Sequence, residues 1–199
     1  VILTVPPRDD IDAIVVMGVN DHLLNENSRI VSNASCTANA LTPILKILND
    51  AFGVDRGFMT TVHAYTNDLR LADVPHSDKR RSRSAVENII PTETWSPLAV
   101  ERILPELKGK LDGMALNLPV PDGSNVDLVT MMSRDVTAGE VNEVVRSAAA
   151  STFRSIIEYT DQPIVSSDLI GNPHSGMFDG LSTAVLGGNM LKTVTWYDN

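Results

Sequence analysis

The chain opens on an apolar strand-like stretch, Val1–Val5, and reaches a continuous apolar run at Ile14–Val19, bounded by Asp12 and Asn20. An unbroken run of this kind fits a strand buried on both faces, as in a parallel sheet. Ile30–Ser32 adds a shorter extended piece. The period then changes. Leu41, Ile44, Leu45, Leu48 and Phe52 recur at three and four, which predicts a helix over Cys36–Phe52 stopped by Gly53. Pro43 stands inside it and should bend it or lie near its first turns. Phe58–Tyr65 is rich in β-branched and aromatic residues and reads as a strand. Asn67–Ser84 has no period and many charges, the mark of a functional or interfacial loop. Ser96–Leu107 reads as a short helix with Pro97 in its first turn and Pro105 at its end.

The second half has a different texture. Leu111–Val120 and Asn125–Met132 read as a pair of strands around the turn cluster Pro121-Asp122-Gly123-Ser124. Thr137–Ala149 carries the clearest helix signal, with Thr137 and Glu140 spaced as a capping box and Val141, Val144, Val145 and Ala148 as its buried stripe. Ile164–Ser167, Thr183–Leu186 and Leu191–Trp196 are further strands, the last two joined by a hairpin turn at Gly187-Gly188-Asn189. The pattern predicts an α+β fold: a largely antiparallel sheet with helices on one face, preceded by the last strands of an α/β domain. The abrupt strand at the start and the aromatic Trp196-Tyr197 near the end suggest a piece of a longer protein.

Composition narrows the function classes. The 199 residues carry 16 Lys+Arg against 25 Asp+Glu, a net charge of −9. That balance argues against a whole-domain nucleic-acid binder, although Lys79–Arg83 forms a local basic cluster. The cluster also lacks an aromatic platform for bases. Ala13–Val19 is the longest notable apolar stretch and is too short for a membrane span, and no secretory leader is visible. One cysteine excludes an internal disulfide and any multi-cysteine metal centre, and no His spacing suits a metal. The 12 glycines include no G-x-G pair, so no dinucleotide fingerprint or P-loop stands in this chain.

Cys36 lies in N-A-S-C-T-A-N, after a strand and at a helix start. Backbone N–H groups and the helix dipole there favour a thiolate, which a nucleophile needs. A small buried apolar residue is an equally good local account of it. Of four histidines, His22 and His76 sit in polar loop-like contexts and His174 in a turn. His63 is flanked by Val62 and Ala64 in a strand, where it could meet Cys36. Taken alone, a hydrogen-bonded core histidine is the plainer account of it.

Larger blocks of sequence are more specific. S-N-A-S-C-T-x-N (Ser32–Asn39), T-T-V-H-A-Y-T-N-D (Thr60–Asp68), E-N-I-I-P (Glu87–Pro91), P-E-L-K-G-K-L-D-G-M-A (Pro105–Ala115) and W-Y-D-N (Trp196–Asn199) together resemble the glyceraldehyde-3-phosphate dehydrogenase family. The resemblance implies that residues 1–35 are the C-terminal remnant of a nucleotide-binding domain of the Rossmann type and residues 36–199 a catalytic domain. It implies an oxidoreductase in which Cys36 attacks a sugar aldehyde, in this family a phosphorylated one, to give a thiohemiacetal. His63 is the general base, hydride passes to NAD or NADP, and inorganic phosphate releases the thioester as an acyl phosphate. Ser35, Thr37 and Thr94 match hydroxyl donors for the attacking phosphate, and Thr66 and Asp68 match the pocket for the substrate's phosphate. Asn199 matches the asparagine that holds the nicotinamide amide, and Thr4 falls near the same end of the cofactor. The family is cytoplasmic, glycolytic and homotetrameric, with Asn67–Ile90 as its interfacial segment. The chain alone, lacking most of a nucleotide site, should not turn over.

Two departures fall on the anion pockets. Asn117 stands where the family pattern has an arginine, and Trp95 where it has a glycine. An asparagine cannot supply a guanidinium's charge or its bidentate fork. Arg80, Arg81 or Arg83 could supply the missing charge, although a solvated or intersubunit loop is the plainer account of that cluster. These changes keep open an erythrose-4-phosphate or non-phosphorylating aldehyde dehydrogenase of the same superfamily. They also keep open a non-catalytic binding paralogue.

Overall fold

The computed structural model describes residues 1–199 as two sheets and three α-helices. Three short strands, β1 (Ile2–Leu3), β2 (Ala13–Ile14) and β3 (Val31–Ser32), make an all-parallel sheet in the order β1-β3-β2. The apolar run that reads as a strand over Ile14–Val19 is a strand only through Ile14. Val15, Val16 and Val19 are buried, but in a turn that the Asn20 side chain closes by accepting from Val16 N at 2.8 Å and donating to the Ile14 carbonyl at 2.9 Å. Burial alone does not distinguish the two conformations.

Helix α1 (Cys36–Phe52) runs over the span that its period predicts, with Pro43 inside the unbroken helix. Ser35 is its N-cap and accepts from Ala38 N at 3.1 Å. Gly53, with φ 70°, ends it in a region that suits glycine. Leu41, Ile44, Leu45 and Leu48 are fully buried. Each contributes about 1.5–3 kcal/mol of apolar burial. Helix α2 (Ser96–Ile103) is followed by a 3₁₀ turn at Pro105–Leu107. Helix α3 (Ala138–Ala150) carries the capping box, with Val141 and Val145 buried and Val144 and Ala148 half-buried.

The large sheet holds β4 (Val54–Ala64), β5 (Ile90–Thr92), β6 (Leu111–Leu118), β7 (Ser124–Met132), β8 (Ile157–Thr160), β9 (Gly176–Asp179), β10 (Ala184–Leu186) and β11 (Met190–Tyr197). Its order is β5-β6-β4-β7-β11-β9-β8, with β10 paired to β11 as a hairpin. Five pairings are antiparallel, while β4/β6 and β8/β9 are parallel. The fold is therefore α+β with a mixed, largely antiparallel sheet. Strand β7 buries every second residue from Ser124 to Met132, the period of a sheet with one covered face. Helix α1 packs across β4, β7, β9 and β11, with α2 over β6 and α3 over β8. No helix is long and apolar enough to cross a membrane.

Two expectations differ from this topology. Strands β6 and β7 do not pair with each other, because β4, from earlier in the chain, lies between them. Ile164–Ser167 is not a strand; it runs into a 3₁₀ turn at Ser166–Leu169, and the neighbouring strands are β8 and β9.

Candidate active site

The start of α1 and the end of β4 meet at one point. Cys36 is the first residue of α1, and its Sγ lies 3.5 Å from Nε2 of His63. His63 reaches it because β4 alternates. Met59 and Thr61 point to the helix layer, and His63 is the next residue on that face. The other ring nitrogen, Nδ1, is 2.7 Å from the Ala64 carbonyl. A carbonyl only accepts, so Nδ1 donates, and in the neutral ring Nε2 presents its lone pair to the thiol.

Burial pushes the Cys36 thiol above its ordinary value, against the Thr37 N–H, the Thr37 hydroxyl and the Cys36 N–H, which pull it down. The helix start therefore does not by itself hold a thiolate, as the sequence suggests it should. Desolvation outweighs it. The imidazole beside it is the group placed to accept the thiol proton.

Beneath the pair lies Tyr197, fully buried on β11. Its hydroxyl is 2.8 Å from Thr37 Oγ1 and 2.6 Å from Thr61 Oγ1, and its ring stands on edge to His63. Burial pushes the Tyr197 hydroxyl well above the ordinary phenol range, so it remains protonated.

The pair opens into a cleft of about 340 Å³. Ser35, Thr37, Thr66, Asp68 and Thr94 all line it. Several of their polar groups are already engaged. Ser35 caps α1, and Thr94 Oγ1 is 3.0 Å from Ser96 Oγ. Thr66 and Arg81 both donate to Asp68. Burial pushes the Asp68 carboxyl up, but the Thr66 hydrogen bond and the Arg81 charge outweigh it and hold the group below its ordinary value. Of the three arginines in the basic cluster only Arg81 lines the cleft, and its Nε is buried without a partner. Arg80 and Arg83 line another surface groove together. Two larger grooves, of about 760 and 640 Å³, contain neither Cys36 nor His63.

Asn199 stands apart from the lining residues. Its Oδ1 accepts from Ser124 Oγ at 2.6 Å, and Ser124 Oγ in turn accepts from Ala64 N at 3.0 Å, next to His63. Its amide NH₂ is left free, the donor that a carboxamide oxygen requires, so the residue fits the amide end of a nicotinamide. Thr4 is exposed and does not line the cleft; Pro6 does. Tyr197, Thr61, Ser124 and Glu93 are site residues that the sequence reading left out. Thr61 was within reach of period-two counting from His63, while Tyr197 depends on the distant placement of β11.

The departures also sit here. Trp95 lines the cleft and packs against the main core, with the Arg102 guanidinium 5.9 Å from its ring centre. Asn117 lies on β6 directly beside His63 in the parallel β4/β6 register.

The family described as glyceraldehyde 3-phosphate dehydrogenase, C-terminal domain, matches residues 35–199. Curated relatives include the glyceraldehyde-3-phosphate dehydrogenase of Borreliella burgdorferi, 54% identical over 201 residues, covering 100% of this chain and 60% of that protein. Glyceraldehyde-3-phosphate dehydrogenase 1 of Bacillus subtilis is 50% identical over 200 residues, covering 100% of the chain and 59% of that protein. The Geobacillus stearothermophilus protein of the same name is 48% identical over 200 residues, with 100% and 59% covered. The chain thus spans about 60% of the length of the curated relatives that it matches.

Proposed function

Because the chain belongs to the glyceraldehyde 3-phosphate dehydrogenase family, we infer that Cys36 and His63 are the reacting pair of an aldehyde-oxidising enzyme. The observation that carries this reading is the 3.5 Å approach of Sγ to an imidazole nitrogen left as acceptor by its neighbour's bond to Ala64. As Sγ forms a bond to the aldehyde carbon, the thiol proton goes to Nε2 and the carbonyl π pair to its oxygen. His63 then gives that proton to the oxygen, completing the thiohemiacetal hydroxyl, and is free to take it back as the thioester forms. A bound NAD or NADP supplies the hydride acceptor for that oxidation. Asn199 would hold the carboxamide of the cofactor through its free NH₂. Ser35, Thr37 and Thr94 would hold the inorganic phosphate that cleaves the thioester, while Thr66, Asp68 and Arg81 line the same cleft.

On this reading residues 1–35 close a nucleotide-binding domain and residues 36–199 are catalytic. What supports the division is the change from the three parallel strands to the mixed sheet. The activity belongs to the whole protein, with a homotetramer and a cytoplasmic setting as the family implies. The test is a rapid mix of the whole protein with aldehyde and NAD or NADP in the absence of phosphate. A burst of reduced cofactor, abolished in Cys36→Ser, supports the reading. Steady turnover that survives Cys36→Ser contradicts it.

A further inference from the structure

The wall of the cleft beside His63 is made by Asn117, a residue only 7% exposed. The direction of its amide follows from its neighbours. The Ile90 carbonyl can only accept, and Thr92 Oγ1 donates to it at 3.2 Å. A hydroxyl has one proton, so Thr92 Oγ1 must accept from Asn117 Nδ2, which is 2.9 Å away. This turns Asn117 Oδ1 away from Thr92. That oxygen makes no hydrogen bond within the chain, and the cleft is the open space that Asn117 borders. Asn117 pairs with His63 in the β4/β6 register, so its backbone lies one strand spacing, about 4.8 Å, from the strand that carries His63.

The cleft's charge points the same way. Arg81 is the one Lys or Arg side chain lining it, against the carboxylates Asp68 and Glu93, and Arg81 is already bonded to Asp68. A phosphate dianion placed against Asn117 would meet an acceptor, and the cleft's one guanidinium already shares its charge with a carboxylate. A substrate hydroxyl placed there would donate to an otherwise unpaired acceptor.

We propose that Asn117 is a specificity-determining residue that accepts a hydrogen bond from a substrate hydroxyl, so that the substrate class is an unphosphorylated hydroxyaldehyde. The proposal rests on the reading of Cys36 and His63 given above.

The experiment compares D-glyceraldehyde, D-glyceraldehyde 3-phosphate and propionaldehyde, with NAD and with NADP, on the whole protein. The expected result is a kcat/KM for D-glyceraldehyde at least equal to that for the phosphorylated sugar. In Asn117→Leu, kcat/KM for D-glyceraldehyde should fall at least about tenfold more than that for propionaldehyde, which has no hydroxyl. In Asn117→Arg the preference should move toward the phosphorylated sugar. A tenfold or greater wild-type preference for the phosphorylated sugar, or an equal loss for both unphosphorylated aldehydes in Asn117→Leu, overturns the proposal and leaves the Cys36–His63 reading standing. Oxidation of no aldehyde overturns that reading instead. Protection of Cys36 from iodoacetamide then decides the proposal: stronger protection by D-glyceraldehyde supports it, and stronger protection by the phosphorylated sugar overturns it.

Discussion

The ring of His63 stands edge-on to the ring of Tyr197, with 5.9 Å between centroids and 68° between planes. Tyr197 is thus both the floor under the imidazole and a tie between the first turn of α1 and β4. Replacing it with phenylalanine keeps the ring and removes the hydroxyl. Thr37 Oγ1 and Thr61 Oγ1, both in buried residues, then lose their shared partner. Tyr197→Phe should cost about 1–3 kcal/mol, read as a lower denaturant midpoint with an unchanged m-value. A midpoint equal to the wild type's would show that the two threonines find other partners.

Gly113 lies opposite Met59 in the β4/β6 register, where an added methyl would run into the Met59 carbonyl oxygen and sulfur. Both β4 and β6 carry site residues, so this contact bears on the cleft as well as the core. Gly113→Ala should destabilise the protein by about 1–3 kcal/mol, measured by urea unfolding. It should also widen the β4/β6 spacing and slow aldehyde oxidation. A variant as stable as the wild type would mean that the backbone shifts freely there.

The capping box of α3 gives a pH-dependent contribution. The Thr137 hydroxyl and backbone N–H bond the Glu140 carboxylate and hold it below its ordinary value of 4.5. A depressed carboxylate contributes stability above its unfolded value, and the contribution is lost as pH falls through the lower folded value. Thr137→Ala should cost about 1 kcal/mol near neutrality. Glu140→Gln should flatten the loss of stability between about pH 5 and 3. Thermal unfolding across that range checks both, and identical acid slopes for wild type and Glu140→Gln would contradict the assignment.

The sequence conveys most where the information is local. Helices α1 and α3 follow from spacing and caps, because a helix buries its face within its own turns. The β10/β11 hairpin follows from a two-glycine turn. Strands β6 and β7 look like neighbours because they are consecutive, yet β4 separates them, and no local signal reports an insertion from fifty residues earlier. Val15, Val16 and Val19 have a strand's composition and a turn's conformation, since burial is all that their apolarity encodes. In the site, Cys36 and His63 stand out through their motifs. Tyr197 lies in the W-Y-D-N block, but its role does not show there, because its place under His63 exists only once β11 has joined β7. The orientation of Asn117 is likewise a property of the Thr92–Ile90 chain of hydrogen bonds, not of its own identity.

The account turns on His63 acting as the base for a thiol that burial holds protonated. The direct measurement is the iodoacetamide alkylation rate of Cys36 against pH, in wild type and in His63→Asn. Wild type should alkylate readily at about pH 7, whereas the variant should react only as pH climbs past the ordinary thiol value of about 8.5. Superimposable profiles for the two proteins would contradict it.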